Sequence, residues 1–217
     1  MVENLRASPG EISAAGGVVV VDEGVFLDAV YMLLHPAAGV ADLPHAIYSA
    51  SRGSFGPLKG AIDSLSSYNR NVATGVNLSS LCRDEIGFDS YENALAVAVD
   101  YPPQLADHLV KPYTFELCDM WLSAVTEPAD PLENTPVESD IPALIFAGSY
   151  DPITSPAWAR RAAETLSSSY LYEFANMAHG VMRSDECALH IGLQFLDDPT
   201  AEPDATCMQG INEISFR

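Results

Sequence analysis

The sequence predicts an α/β protein: a mostly helical segment over 22–126, then a linker over 127–140 and a strand-helix-strand-helix unit over 141–217, all preceded by a short segment over 1–21. Three observations predict it. Apolar residues recur at helical spacing through the first part, short apolar runs bounded by Pro and Gly replace them after Asp140, and the stretch between, EPADPLENTPVESD, is acidic and Pro-rich without periodicity. With 48% hydrophobic residues, a chain of 217 can bury a sizeable core.

Residues 1–17 are polar and Gly-rich toward their end and are expected to be loose, with the four valines Val18–Val21 forming a short strand or extended segment. Asp22 can cap a helix from Glu23 to about Leu34, with Val25, Ala29 and Leu33 on one face and His35-Pro36 as its stop. A second helix is expected from Pro44 to Ser51, stopped by the Arg52-Gly53-Ser54 turn. A third runs from Leu58 to Tyr68, where Leu58, Ile62 and Leu65 share a face. Val76–Cys82 is expected to be extended and Ser90–Asp100 helical; Leu105–Val110 is ambiguous, and Phe115–Ala124 reads as helix.

In the C-terminal unit, Ala143–Ala147 is too short for a helix and is bounded by Pro142 and Gly148, which reads as a fully buried strand. Ser155 caps a helix whose first residue is Pro156 and whose good helix formers run to Leu166. Tyr170–Phe174 is a second strand. Ser184 is expected to cap a last helix, with Ala188, Ile191 and Phe195 in one stripe, before a polar tail containing Cys207.

Charge and cysteines narrow the partners. Ten basic against 30 acidic residues give a net charge of −20, which disfavours non-specific attraction to nucleic acid or anionic membranes and fits a heavily solvated surface. No apolar run approaches the length of a membrane span, and MVENLRASPG lacks the basic and apolar regions of a signal peptide, so a soluble chain without its own export signal is expected. Cys82, Cys118, Cys187 and Cys207 form no C-x-x-C pair and His190 stands without a second nearby histidine, so no metal site is expected. Two disulfides are. Three connectivities are open, the preferred one joining Cys187 to Cys207 and Cys82 to Cys118.

Two residues point to chemistry. Asp151 follows the first predicted strand of the C-terminal unit and His179 follows the second, 179 − 151 = 28 residues later, which leaves room for one helix and one strand. Alone, an Asp-Pro turn or a His beside Gly is ordinarily structural. Together they match the chain order Ser, Asp, His of the α/β-hydrolase triad, in which the acid orients the base and the base takes the serine proton. His35, His45, His108 and His190 lack such placement and read as helix-end or surface residues. The nucleophile is missing: there is no G-x-S-x-G, and the loose match Ser49-Ala50-Ser51-Arg52-Gly53 lies at a helix end with no strand before it. Ser51 is therefore set aside, Ser149 reads as part of the acid turn, and the oxyanion donors that accompany a nucleophile elbow are absent as well.

These residues resemble a known family. ALIFAGSYDPITSPAWARRAAETL, MAHG, SDEC and FLDDPTAEPDATC are similar to the C-terminal domain of tripeptidyl aminopeptidase-like (TAP-like) α/β-hydrolases, relatives of the proline iminopeptidases. YMLLHP, DLPHAIYSASRGSFGPL, CRDE and FELCDMW resemble the family's helical cap in outline, so the resemblance runs from about Asp22. It implies a partial α/β-hydrolase fold in which Asp151 and His179 are the triad acid and base. It also implies a cap lining the site for a substrate's free amino end, a peptide or small ester as substrate, no cofactor, and a secreted or cell-envelope parent. The chain departs from the pattern in lacking the early strands, the oxyanion loop and the serine elbow. It is thus expected to be a truncated member, inactive alone and partnered by the missing N-terminal half of the hydrolase domain. The competing reading is a non-enzymatic binding module derived from a hydrolase. Asp84, Glu85 and Glu116 are candidates to meet a substrate amine, although each also reads as a solvated surface charge.

Overall fold

The computed structural model describes residues 1–125 and 129–217, with the side chains of all of these except 68–71. The first 21 residues are ordered: helix α1 (Val2–Ala7) leads into an antiparallel hairpin of β1 (Gly10–Ala14) and β2 (Gly17–Val21). This corrects the expectation of a loose 1–17. Gly17 takes φ +122, a conformation open to glycine, and so turns the chain back on itself. Ile12, Ala14, Val19 and Val21 then face the core, while Val18 and Val20 stay exposed.

Helix α2 (Glu23–Leu33) starts as read, with Val25 N–H donating to Asp22 Oδ1 at 2.9 Å, and it buries Phe26, Leu27 and Ala29. Helix α3 spans Ala37–Ser51 and not Pro44–Ser51. Pro44 costs it one internal hydrogen bond, but Gly39, Val40, Ala41, Ala46 and Ala50 are all buried, and that continuous small apolar face holds the extra turns. A 3₁₀ turn, Gly56–Leu58, opens α4 (Lys59–Asn71). Val21, Phe26, Ala46, Phe55, Leu58 and Ile62 form the core that these elements share.

Residues 76–82 are helical, not extended: α5 (Thr74–Ser80) runs on into a wide turn, Leu81–Glu85. Propensity yields here to packing against a later helix. After α6 (Tyr91–Ala98, capped by Ser90) and α7 (Pro103–Leu109), helix α8 (Pro112–Leu122) brings Cys118 to Cys82, both buried, and Trp121 Nε1–H to Ser79 Oγ at 3.3 Å. Residues 126–128, which include the end of the expected cap and the start of the expected linker, lie outside the described residues. The rest of that linker has structure of its own. Asp130 and Glu133 form a capping box on the turn Pro131–Asn134, and Glu133 pairs with Arg83 at 2.8 Å.

The C-terminal unit is β3 (Ala143–Gly148), α9 (Pro156–Ala163), β4 (Ser169–Phe174), α10 (Val181–Ser184) and α11 (Glu186–Asp197). The two strands are parallel, with Gly148 opposite Phe174, and among the described residues they form a sheet of two. Only Ala147 and Gly148 of β3 are buried, the other four being half-buried, so the strand is less enclosed than its apolar sequence implies. Asp185, not Ser184, caps α11 by accepting Ala188 N–H at 3.0 Å, because Ser184 already closes α10 with its hydroxyl on Gly180 C=O. Phe174, Met177, Val181, Ala188 and Ile191 form a second core. Of the three open connectivities the chain uses Cys82–Cys118 and Cys187–Cys207. No helix among the described residues is long and apolar enough to cross a membrane.

Candidate active site

The site lies where the two parallel strands end. The loop after β3 carries Asp151 and the loop after β4 carries His179; in open parallel sheets the carboxyl ends of the strands are where ligands bind. Main-chain bonds lace the loops together: Ser149 N–H reaches Phe174 C=O and Tyr150 N–H reaches Met177 C=O, both at 3.0 Å. Arg160 of α9 forks onto Glu173 of β4, and Ser149 Oγ also donates to Glu173, at 3.2 Å. Ser149 thus belongs to the acid turn, as read.

Asp151 is fixed from four directions. Its Oδ1 accepts the N–H groups of Ile153 (2.8 Å) and Thr154 (2.9 Å), and its Oδ2 accepts Thr154 Oγ1–H (2.8 Å). His179 Nδ1 completes the set, 2.9 Å from Oδ2 and 3.2 Å from Oδ1. The carboxylate side chain is 5% exposed and the imidazole 34%. Burial on its own would raise the Asp151 pKa, but the bonds from Thr154, Ile153 and His179 together outweigh it and hold the group below its ordinary range. An ionised acceptor assigns the proton to Nδ1, leaving Nε2 with a lone pair and no partner among the described residues. The flanking Met177, Ala178 and Val181 are buried, so the histidine stands on a pinned loop.

His35 also belongs here, although it reads from sequence as a helix-end residue. Its carbonyl oxygen accepts the His179 N–H at 3.1 Å, and its ring lies 6.5 Å from the His179 ring and 5.0 Å, edge-on, from that of Tyr31. His35 Nε2 is buried and takes no hydrogen bond. Burial first, and His179 second, push the His35 pKa below its ordinary value of 6.5, against the opposite pull of Asp151. His45 and His190 are exposed, as read, whereas His108 is half-buried with Nε2 3.0 Å from Asp28 Oδ1. Thr154 and His35 lie in segments that carry the family resemblance, but neither is singled out there as a site residue. Thr154 could have been found by its spacing, three residues after an Asp in a turn.

The nucleophile is not brought to this pair. Ser51 Oγ–H donates to Tyr48 C=O at 2.6 Å at the end of α3. Thr154 is the one hydroxyl bonded to His179 among the described residues, and it approaches Nδ1 at 3.5 Å, the nitrogen already committed to Asp151. The acids considered for a substrate amine, Asp84, Glu85 and Glu116, are exposed: Asp84 accepts Ser80 Oγ–H at 2.7 Å, and Glu116 borders a cavity with Asp89, Glu92 and Asp119. No group of three His, Cys, Asp or Glu side chains among the described residues could hold a metal ion.

This geometry can orient an imidazole, keep it in one tautomer and stabilise its protonated form, which is what a general base requires. Comparison with known families matches residues 107–207 to the model described as TAP-like protein, a family of α/β-hydrolase type. No curated protein and no solved structure matches the chain. The Asp151 loop, the His179 loop and the Cys187–Cys207 disulfide all fall inside the matched span, so the part of the chain that carries them is similar to the TAP-like C-terminal region of the α/β-hydrolases.

Proposed function

We propose that this chain supplies the acid, Asp151, and the base, His179, of a serine-type α/β-hydrolase. The hydrolase is an exopeptidase of the tripeptidyl or prolyl aminopeptidase kind, acting on a peptide or small ester. The observation that carries the reading is the 2.9 Å Nδ1–Oδ2 contact, with Nε2 left without a partner on a partly exposed ring. In the reaction His179 Nε2 would take the serine hydroxyl proton as the oxygen attacks the carbonyl, and would then return it to the leaving group, while ionised Asp151 stabilises the imidazolium. No G-x-S-x-G motif occurs in the 217 residues, so serine and oxyanion donors come from outside them, and the chain alone is inactive. Two disulfides are compatible with an extracellular protein and support a secreted or cell-envelope setting.

Treatment with a fluorophosphonate followed by intact-mass measurement tests this directly. No adduct is expected on the folded chain. One adduct that disappears in His179→Ala would mean that a working nucleophile lies within these residues. A downfield imidazole N–H proton resonance, present in the wild type and absent in Asp151→Ala, would report the acid-base pair itself.

A further inference from the structure

A cavity of about 480 Å³ lies between α2 and the α7–α8 turn, walled by Leu27, Val30, Leu34, Leu105 and Leu109. Its volume falls in the range of small-ligand sites, and the surface it presents is mainly apolar. The polar groups on its lining include the Asp28–His108 pair, joined at 3.0 Å.

Its position gives it a role. Tyr31 and Leu34 line it, and the next residue, His35, is the one whose carbonyl receives the His179 N–H at 3.1 Å. The Tyr31 and His35 rings meet at 5.0 Å, and the His35 and His179 rings at 6.5 Å. One helical end therefore forms both the wall of the cavity and the support of the base. We propose that this cavity is the specificity pocket of the site, and that it receives an aromatic or branched aliphatic side chain of the substrate. This rests on the acid-base reading of Asp151 and His179.

The chemistry of the walls selects the occupant. An apolar side chain gains by leaving water for Leu27, Leu105 and Leu109, whereas a charged one would lose its hydration against those leucines; Lys111, Tyr113 and Thr114 complete the lining. Asp28 and His108, two of the polar residues of the lining, are engaged with one another.

Binding can be followed without turnover by methyl and imidazole NMR on the intact chain, titrated with N-acetylphenylalanine amide and, separately, N-acetylglycine amide. The leucine methyl signals of the cavity and the His179 ring signals are expected to shift together along one saturation curve, with the glycine compound at least tenfold weaker. Leu105→Trp, which fills the cavity, should weaken the phenylalanine compound at least tenfold. Leu109→Trp should do the same, and because both positions are already exposed, neither change overpacks the core. Methyl signals that stay still, or that shift while His179 does not, would overturn the assignment. Cavity shifts that persist in His179→Ala are also expected, since the pocket binds whether or not the base is present. An adduct in the fluorophosphonate experiment would leave this result untouched, so the two readings fail separately.

Discussion

The main-chain N–H of His179 donates to the carbonyl oxygen of His35 at 3.1 Å. Through that bond the end of α2, near the start of the chain, holds the loop after β4. A helix that ends at Leu33 leaves its last carbonyls without internal partners, and the His179 loop satisfies one in their wake. The position of His179 is therefore a property of both halves of the chain.

Stability should fall in two steps as the solution is acidified. His35 sits below its ordinary 6.5 because it is buried and because His179 is near, so between 6.5 and its folded value the unfolded chain binds more protons than the folded one. Stability is lost as pH falls through that window. Asp151, lowered by its hydrogen bonds in spite of burial, contributes fully above its ordinary 3.8, and its contribution is lost as pH falls through its folded value. Urea midpoints measured from neutral into acid should show an upper and a lower decline. His35→Phe should remove the upper one and spare the lower. An upper decline that survives the substitution would show that another group causes it.

Asp151→Ala should cost about 1–3 kcal/mol at neutral pH, since it removes a buried carboxylate that accepts the N–H groups of Ile153 and Thr154 and the Thr154 hydroxyl. Asp151→Asn keeps an acceptor oxygen and should cost less. His179→Ala should cost less again, because the ring is 34% exposed. Denaturant unfolding of the three variants gives the order, and a His179→Ala loss larger than that of Asp151→Ala would contradict it.

Gly148→Ala is expected to disturb the Asp151–His179 pair without touching either side chain. A Cβ there would run into the carbonyl oxygen of Ala178 and come within 2.7 Å of that of Met177. These are backbone atoms on a pinned loop, so the strain cannot be relieved by turning a side chain. The loop carrying His179 must move. Loss of the downfield imidazole proton in a variant that still melts cooperatively is the expected result; a retained signal with unchanged stability would show that the two loops have more room than their contacts indicate.

The meeting of Asp151 and His179 was legible because its signals are local. Asp151 and His179 each follow a short apolar run, and the Pro156 start with its Ser155 cap fixes the helix between them from sequence alone. The hairpin over Gly10–Val21 was not legible, since its pairing depends on a Gly17 turn and on a core supplied by α2 and α4. Val76 and its neighbours carried β-branched and polar residues that suggest extension, and only the later Cys118 and Trp121 make them a helix. His35 was passed over for the same reason: its bond to His179 joins residues far apart in the chain.

The two disulfides should have different consequences for the site although their effects on stability are similar. Closing loops with sequence separations of 20 and 36 corresponds to about 3 and about 4 kcal/mol of unfolded-state entropy. Replacing Cys82 and Cys118 with Ala should lower stability by that order and leave the Asp151–His179 pair in place, since this bridge joins the turn after α5 to α8. Replacing Cys187 and Cys207 with Ala frees the tail from α11. That tail packs Met208 and Ile211 on the second core, sets Phe216 edge-on to Tyr150 at 6.4 Å, and places the Arg217 N–H on Ala41 C=O at 2.8 Å. Tyr150 adjoins Asp151, so loosening the tail should weaken the pair as well as the fold. Carboxypeptidase should then release Arg217 faster from the 187/207 variant than from the 82/118 variant, and the downfield imidazole proton should broaden in the first alone. Equal broadening in both would mean that the pair responds to global stability and not to the tail.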